Sequence, residues 1–368
     1  MPPGCDSNGV IHTDESVHWE GLGKEQILKV LVTGATGYVG AVAATALAAR
    51  EHEVVGLARS QRSASALRER GIQPVMGDFG DPVSLAGAVH ETRPDVVVST
   101  ASVGGASGDK VAFARDREAV RAMREALANY GGALVFTSGS AVFGTFNGGE
   151  ATDTVYDEDA PLPLPESVFA PASAGVHPLL VAGFADAMAA RIDTERAVLA
   201  DGGVRGIVVR PGLVYGNGGN SDLESLINRA RAAGRAGHWG SGGTTQSYVH
   251  VEDLAELFCL AAERAPHRAI LHGVTDDVTQ RELATAINQM IGAGEQTECL
   301  SLEQMLGIAA GTVGDISGTF TPPPTAASGI SLSLNKRLSS ENTRRLLDWS
   351  PKRADIWDDI AYGSYADP

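Results

Sequence analysis

The chain has 368 residues, 43% of them apolar, and a formal net charge of −16. That length supports a large buried core plus a second, smaller domain, and the acidic balance argues against a broad nucleic-acid-binding face. No run approaches the roughly 18 to 20 uninterrupted apolar residues of a membrane-spanning helix. Residues 1–26 lack the basic and apolar regions of a secretory leader, so a cytoplasmic protein without a membrane partner is expected. Cys5, Cys259 and Cys299 are far apart and form no Cys-x-x-Cys pair, so no metal site is expected.

Residues 1–26 carry scattered prolines, glycines and acids without helical or strand period, and read as a mobile N-terminal arm. The apolar run Ile27 to Val32 then leads through Thr33-Gly34-Ala35-Thr36-Gly37-Tyr38-Val39-Gly40 into the small-residue segment Ala41 to Arg50. A strand, a glycine-rich turn and a helix in that order make a phosphate-binding turn. Gly34 serves the tight bend, Gly37 the approach of a pyrophosphate and Gly40 the packing of helix on sheet. Glu53 to Ala58 reads as the second strand, with Arg59 directly after it. An acid at that place would bind the ribose 2′-hydroxyl of NAD, whereas an arginine suits the 2′-phosphate of NADP. Arg59 therefore favours NADP, with NAD as the second choice; a solvated arginine at a strand end is the bland alternative.

Gln73 to Phe79 reads as a third strand, and the β-branched run Asp95 to Ala101 as a fourth, buried parallel one. Helical segments between them predict a doubly wound α/β sheet of Rossmann type. Its ligand crevice lies beyond the strand C-termini, so Ser99 to Ser102, including Ala101, border it. The charged helix from about Val111 to Tyr130 reads as a solvated outer face. The fifth strand is Ala133 to Ser138, continuing toward Gly144, and the sixth is Gly206 to Gly216 with the sequence Arg210-Pro211-Gly212-Leu213-Val214-Tyr215-Gly216.

The Gly-x-x-Gly-x-x-Gly turn, the Arg-Pro-Gly-x-Val-Tyr-Gly stretch and the closing Trp349-Ser350-Pro351 resemble the short-chain dehydrogenase/reductase superfamily, in its extended, epimerase/dehydratase-like branch. The resemblance spans about residues 27–360. It implies adenine contacts at Asp78 and Phe79, although Asp78 serves equally as a turn residue, and nicotinamide contacts at Pro211 and Gly212. It also implies a substrate-polarising hydroxyl three residues before Val142. That position is Gly139, flanked by Ser138 and Ser140. The family's acid/base is a Tyr followed four residues later by a Lys, and no tyrosine of this chain has a lysine at that distance. Alignment on Glu195 puts Arg191 at the Lys position, where it could hold ribose or phosphate but not relay a proton. The resemblance thus implies an atypical member, with Ser138, Ser140, Tyr156 and His177 as candidate catalytic groups. Glu158 and Asp159 read as a solvated acidic turn, and Gly237 to Gly243 as a substrate loop or lid.

The expected organisation is an arm (1–26), an NAD(P)-binding domain (27–215) with a loop insertion near 145–184, and a mainly substrate-binding domain (216–368). Residues of about 244–265 return to the first domain. The expected activity is an NADP-dependent oxidoreductase acting on a carbonyl, alcohol or activated double bond of a small-molecule substrate. A non-redox isomerase or lyase that keeps the nucleotide as scaffold, and a nucleotide-sensing regulatory protein, remain as alternatives. The resemblance is compatible with a homodimer.

Overall fold

Along the first strand, Val30 and Val32 point to one side and Leu31 to the other, and all three are fully buried. A strand covered on both faces needs helices on both faces, and that demand sets the architecture. The computed structural model describes residues 26–104, 109–163, 178–306, 326–353 and 355–366. Nearly all of the N-terminal arm lies outside them.

The first half alternates strand and helix: β1 (Lys29–Thr33), α1 (Tyr38–Ala49), β2 (Glu53–Ala58), α2 (Gln61–Glu69), β3 (Gln73–Met76), α3 (Pro82–Thr92), β4 (Val96–Ser99), α4 (Lys110–Ala128) and β5 (Ala133–Thr137). A 3₁₀ turn (Ser140–Val142) and β6 (Thr145–Phe146) follow, then α5 (Pro178–Leu199), β7 (Arg205–Pro211) and β8 (Leu213–Tyr215). Next come α6 (Ser221–Ala233), β9 (Gly237–Trp239), β10 (Thr245–His250), α7 (Val251–Arg264), β11 (Ile270–Gly273), β12 (Asp276–Thr279) and α8 (Gln280–Met290). The chain closes with β13 (Glu298–Leu300), α9 (Leu302–Leu306), α10 (Ala326–Leu332), β14 (Leu334–Asn335), α11 (Glu341–Leu347) and α12 (Ile356–Tyr362).

The main sheet is parallel throughout, in the order β11-β7-β5-β4-β1-β2-β3. This is the doubly wound Rossmann-like fold. The chain winds outward from β1 through β2 to β3, then returns to β4 on the other side of β1. The winding direction therefore reverses between β1 and β4, and a crevice opens beyond their C-termini. Val30, Val32, Val96 and Val98 form one core with α1 and α7; Leu31, Val97 and Leu134 form the other with α3 and α4.

The remainder builds a cap of small sheets, β12-β10-β8, β13-β9 and β14-β6, over the C-terminal edge. Residues 237–239 are the strand β9 rather than part of a lid. His238 and Trp239 are buried, and Trp239 packs against Phe146, so burying the indole fixes the segment. Glu158 likewise departs from its solvated reading. It is buried, and its carboxylate accepts hydrogen bonds from the backbone N–H and hydroxyl of Thr343 at 2.7 and 2.6 Å, tying down α11. Among the described residues no helix is long and apolar enough to cross a membrane.

Candidate active site

Beyond the β1/β4 reversal lies a cleft of about 1160 Å³. Its floor is the glycine turn. Gly34 has φ +73°, and a Cβ there would stand 2.8 Å from Thr100 Oγ1. At Gly40 a Cβ would be 2.2 Å from the Gly34 carbonyl oxygen, so only glycine lets α1 start against the turn. Gly37 differs: a Cβ would meet only the Gly34 oxygen, at 3.2 Å, and the residue lines the cleft. No side chain caps α1. Its first backbone N–H groups and its dipole are thus available to an anion.

Thr36, Tyr38 and Val39 line the same floor. The Tyr38 phenol donates to the Gly216 carbonyl at 2.7 Å, and burial raises its pKa. Arg59 stands exposed on the wall beside Ser63, and its guanidinium makes no ion pair or hydrogen bond among the described residues. Asp78 and Phe79 form the next stretch of wall. Phe79 is buried, and the Asp78 carboxylate accepts from the Gly80 N–H at 2.9 Å, as a turn residue does.

Ala101 belongs to a loop held from both sides. Thr100 Oγ1 donates to the Thr33 carbonyl at 2.7 Å. Asp116 of α4 accepts from the Ser102 hydroxyl at 2.5 Å and the Val103 N–H at 2.7 Å. Asp116 is 2% exposed, and burial raises its pKa against the pull of those two donors. The charged helix read as an outer face therefore buries a carboxylate that shapes the cleft. Sequence reasoning missed Asp116 because one acid among many charges carries no mark of its orientation.

At the β5 exit, Ser138 and Ser140 are both buried and both line the cleft. Ser138 Oγ has no hydrogen-bond partner among the described residues, an unsatisfied group that a bound molecule would pair. Arg191 of α5 reaches the same place. Its guanidinium donates to the Ser138 carbonyl at 2.5 Å and lies over the Phe113 ring at 4.8 Å, while Nε has no partner among the described residues. Arg210, next to Pro211, is turned away into a buried ion pair with Glu195 at 2.6 Å. Pro211 and Gly212 line the cleft, and the Gly212 backbone lies against Ser247, leaving no room for a Cβ.

Tyr156 does not come to the cleft. Its ring stacks on Phe143 with centroids 4.7 Å apart, its backbone pairs with Leu338, and burial raises its pKa. His177 lies outside the described residues. A residue that the sequence did not single out takes a place in the wall instead: Lys336, 1% exposed, with Nζ donating to Ser331 Oγ at 2.8 Å. Burial lowers its ammonium to about 8, against the opposing pull of Asp222. Its one sequence signal is scarcity, since the chain has no other lysine between Lys110 and Lys352.

The donor set fits a nicotinamide dinucleotide. An uncapped helix start, a glycine open to the cleft, an unpaired arginine at the end of β2 and an unpaired buried hydroxyl at the β5 exit supply a partner for each part. An uncharacterized protein of Schizosaccharomyces pombe is 27% identical over 340 residues, covering 92% of this chain and 100% of the relative. A 3-diazoavenalumate denitrifying reductase from a Streptomyces species is 32% identical over 256 residues, covering 68% of this chain and 76% of the relative. A dTDP-glucose 4,6-dehydratase double mutant from Streptomyces venezuelae, solved with NAD bound, shares the fold at 17% identity with a TM-score of 0.65, covering 92% of this chain and 95% of its own. The sequence profile of the NAD dependent epimerase/dehydratase family matches residues 30–271. With that match over more than half its length, and with the parallel sheet and glycine turn that the profile implies, this chain belongs to the NAD dependent epimerase/dehydratase family.

Proposed function

We propose that the protein is an NADP-dependent oxidoreductase acting on a carbonyl, alcohol or activated double bond of a small metabolite. The observation that carries this reading is Arg59, a cation without a counter-ion at the strand end where the ribose of a dinucleotide lies. The reductase among the relatives supports the reaction class.

When bound, the nicotinamide dinucleotide supplies the hydride chemistry. The α1 amides hold the pyrophosphate, and Arg59 pairs with the 2′-phosphate. Phe79 and the Asp78 turn border the adenine, while Pro211 and Gly212 set the wall beside the nicotinamide. Ser138 donates its unpaired hydroxyl to the substrate oxygen, and the buried Ser140 helps to exclude water. Arg191 keeps the β5 exit in place through its bond to the Ser138 carbonyl. It is a positioning residue, because a guanidinium stays protonated through the neutral range.

Equilibrium binding of NADPH and NADH to the purified protein tests the cofactor. NADPH is expected to bind about 10-fold or more tighter, from a charge-assisted contact of ~1.5–3 kcal/mol, and Arg59→Ala to abolish the preference. Equal affinities in the wild type would overturn the NADP assignment. Incubation with C4-deuterated NADPH and small aldehydes, ketones and enones tests the reaction. Deuterium in the product is expected, whereas an unlabelled rearranged product would favour the isomerase or lyase reading.

A further inference from the structure

Lys336 follows β14, and its backbone is fixed from two directions. Its N–H donates to the Thr245 carbonyl at 2.9 Å, and its carbonyl accepts from the Ser247 N–H at 3.0 Å, which stitches it to β10. Ser247 in turn packs against Gly212 at the β7 exit. The side chain runs along Gly144, where an added Cβ would lie 3.0 Å from Lys336 Cγ. The lysine thus sits between Gly144, just before β6, and the Ser247 backbone that packs on the β7 exit, and it lines the same cleft as Ser138 and Pro211. Gln246 secures the segment in front of it by donating to the carbonyls of Ser331, Leu332 and Leu334 at 2.9 to 3.2 Å.

The partners of Nζ are unusual for a structural lysine. An ammonium taken out of water ordinarily needs a carboxylate beside it. This one has the neutral Ser331 hydroxyl and no ion pair among the described residues. Asp222 at the start of α6 attracts it from beyond ion-pair distance. Arg337 is turned to Asp277 at 2.9 Å, the β10 residues facing it (Thr245, Gln246 and Ser247) are neutral, and the cleft wall carries further cations in Arg59, Arg115 and Arg191. An amine in this setting exchanges its proton more readily than a solvated one.

We propose that Lys336 is the catalytic acid–base of this cleft, standing in for the tyrosine that the sequence lacks. The inference rests on the oxidoreductase reading above. In the reducing direction the reduced dinucleotide would supply the hydride that the carbonyl carbon accepts as the C=O π pair moves onto oxygen. The oxygen takes a proton from Lys336 Nζ, giving the alcohol. The neutral amine then regains a proton from solvent, and oxidation runs the same steps backwards. Ser138 is too weak an acid to give up that proton unaided, Arg191 holds its own, and Tyr156 is stacked on Phe143 outside the cleft wall.

The first test observes the amine itself. The full chain has five lysines, at positions 24, 29, 110, 336 and 352. In ¹³C spectra of protein labelled at the lysine ε-carbons, the signal missing from Lys336→Gln is expected to titrate near 8. The ordinary lysine value is about 10.4. A Lys336 midpoint in that ordinary range would overturn the proposal. The second test measures deuterium transfer from C4-deuterated NADPH to the same small aldehydes. Lys336→Gln and Lys336→Arg should each lose about 100-fold or more in turnover with NADPH affinity unchanged. Full activity in either variant would overturn the role; activity in the arginine variant alone would show that only the charge matters. If Lys336→Gln does not fold, Lys336→Arg serves for both the signal assignment and the turnover arm. Where no aldehyde turns over, the titration decides. A wild-type protein that binds no NADPH would instead sink the oxidoreductase reading, a result distinct from any behaviour of Lys336.

Discussion

His272 lies on β11 with no exposed surface. Its Nδ1 stands 2.9 Å from the Ser339 carbonyl, and its ring meets Phe143 edge-on at 5.7 Å. Burial, and then the Arg210 charge, lower its pKa to about 4. In the unfolded chain the imidazole titrates near 6.5, so between these values the unfolded state binds the extra proton. Stability is therefore complete above about pH 6.5 and falls as the pH drops toward 4. From about pH 7 to about pH 5 this group alone should remove about 2 kcal/mol. Urea midpoints across that interval check it: His272→Gln should flatten the slope relative to the wild type, and equal slopes would refute the assignment. Arg210 shows why a motif residue need not touch a ligand. The Arg of Arg-Pro-Gly holds Glu195 in a buried ion pair, so it fixes α5 to β7 rather than binding a nucleotide.

The start of α1 separates two uses of glycine that look alike in sequence. Gly40 has no room, since a Cβ would lie 2.2 Å from the Gly34 oxygen, whereas Gly37 opens to the cleft. Gly37→Ala should leave the melting temperature within a few degrees, because its φ of −82° suits any residue. It should still weaken NADPH binding about 10-fold or more by placing a methyl where the pyrophosphate approaches. Gly40→Ala should lower both stability and binding, because turn and helix must move apart. Thermal melts and nucleotide titrations of the two variants distinguish these outcomes. A Gly37→Ala protein that binds normally would show that the turn does not cradle phosphate.

At the scale of the whole molecule, the two halves of the sequence share one core. β11 pairs with β7 in the main sheet, and α7 covers the face that α1 also covers. Leu347 and Trp349, near the C-terminus, are buried in that same core with β1. The Trp349 indole donates to the Asp253 carbonyl at 3.0 Å, while the Asp253 carboxylate accepts from the Lys352 and Arg353 N–H groups. A fragment of residues 27–215 would leave Val209, Val30 and Val32 without these neighbours. Expressed alone, it should aggregate or show no cooperative melt by circular dichroism. A soluble fragment with a sharp transition would establish an autonomous nucleotide-binding domain.

The parallel sheet and the nucleotide turn were legible because they rest on local rules. A β-branched run buried on both faces, and glycines at fixed offsets between strand and helix, state their structure within a few residues. The position of Arg59 was legible for the same reason, being one residue beyond the end of β2. The reacting side of the cleft was not. Lys336 lines the same cleft as Ser138 and Pro211 only because its backbone is stitched to β10, and no pattern near position 336 encodes a placement beside residues more than 100 positions earlier in the chain. Asp116, Glu158 and Tyr156 tell the same story: whether a polar side chain faces solvent, a backbone donor or an aromatic ring depends on which elements pack against it. The sequence by itself determined the winding of the sheet and the glycine turn that floors its crevice. Only the tertiary structure decided which buried polar groups line the cleft, because that choice is made by long-range packing.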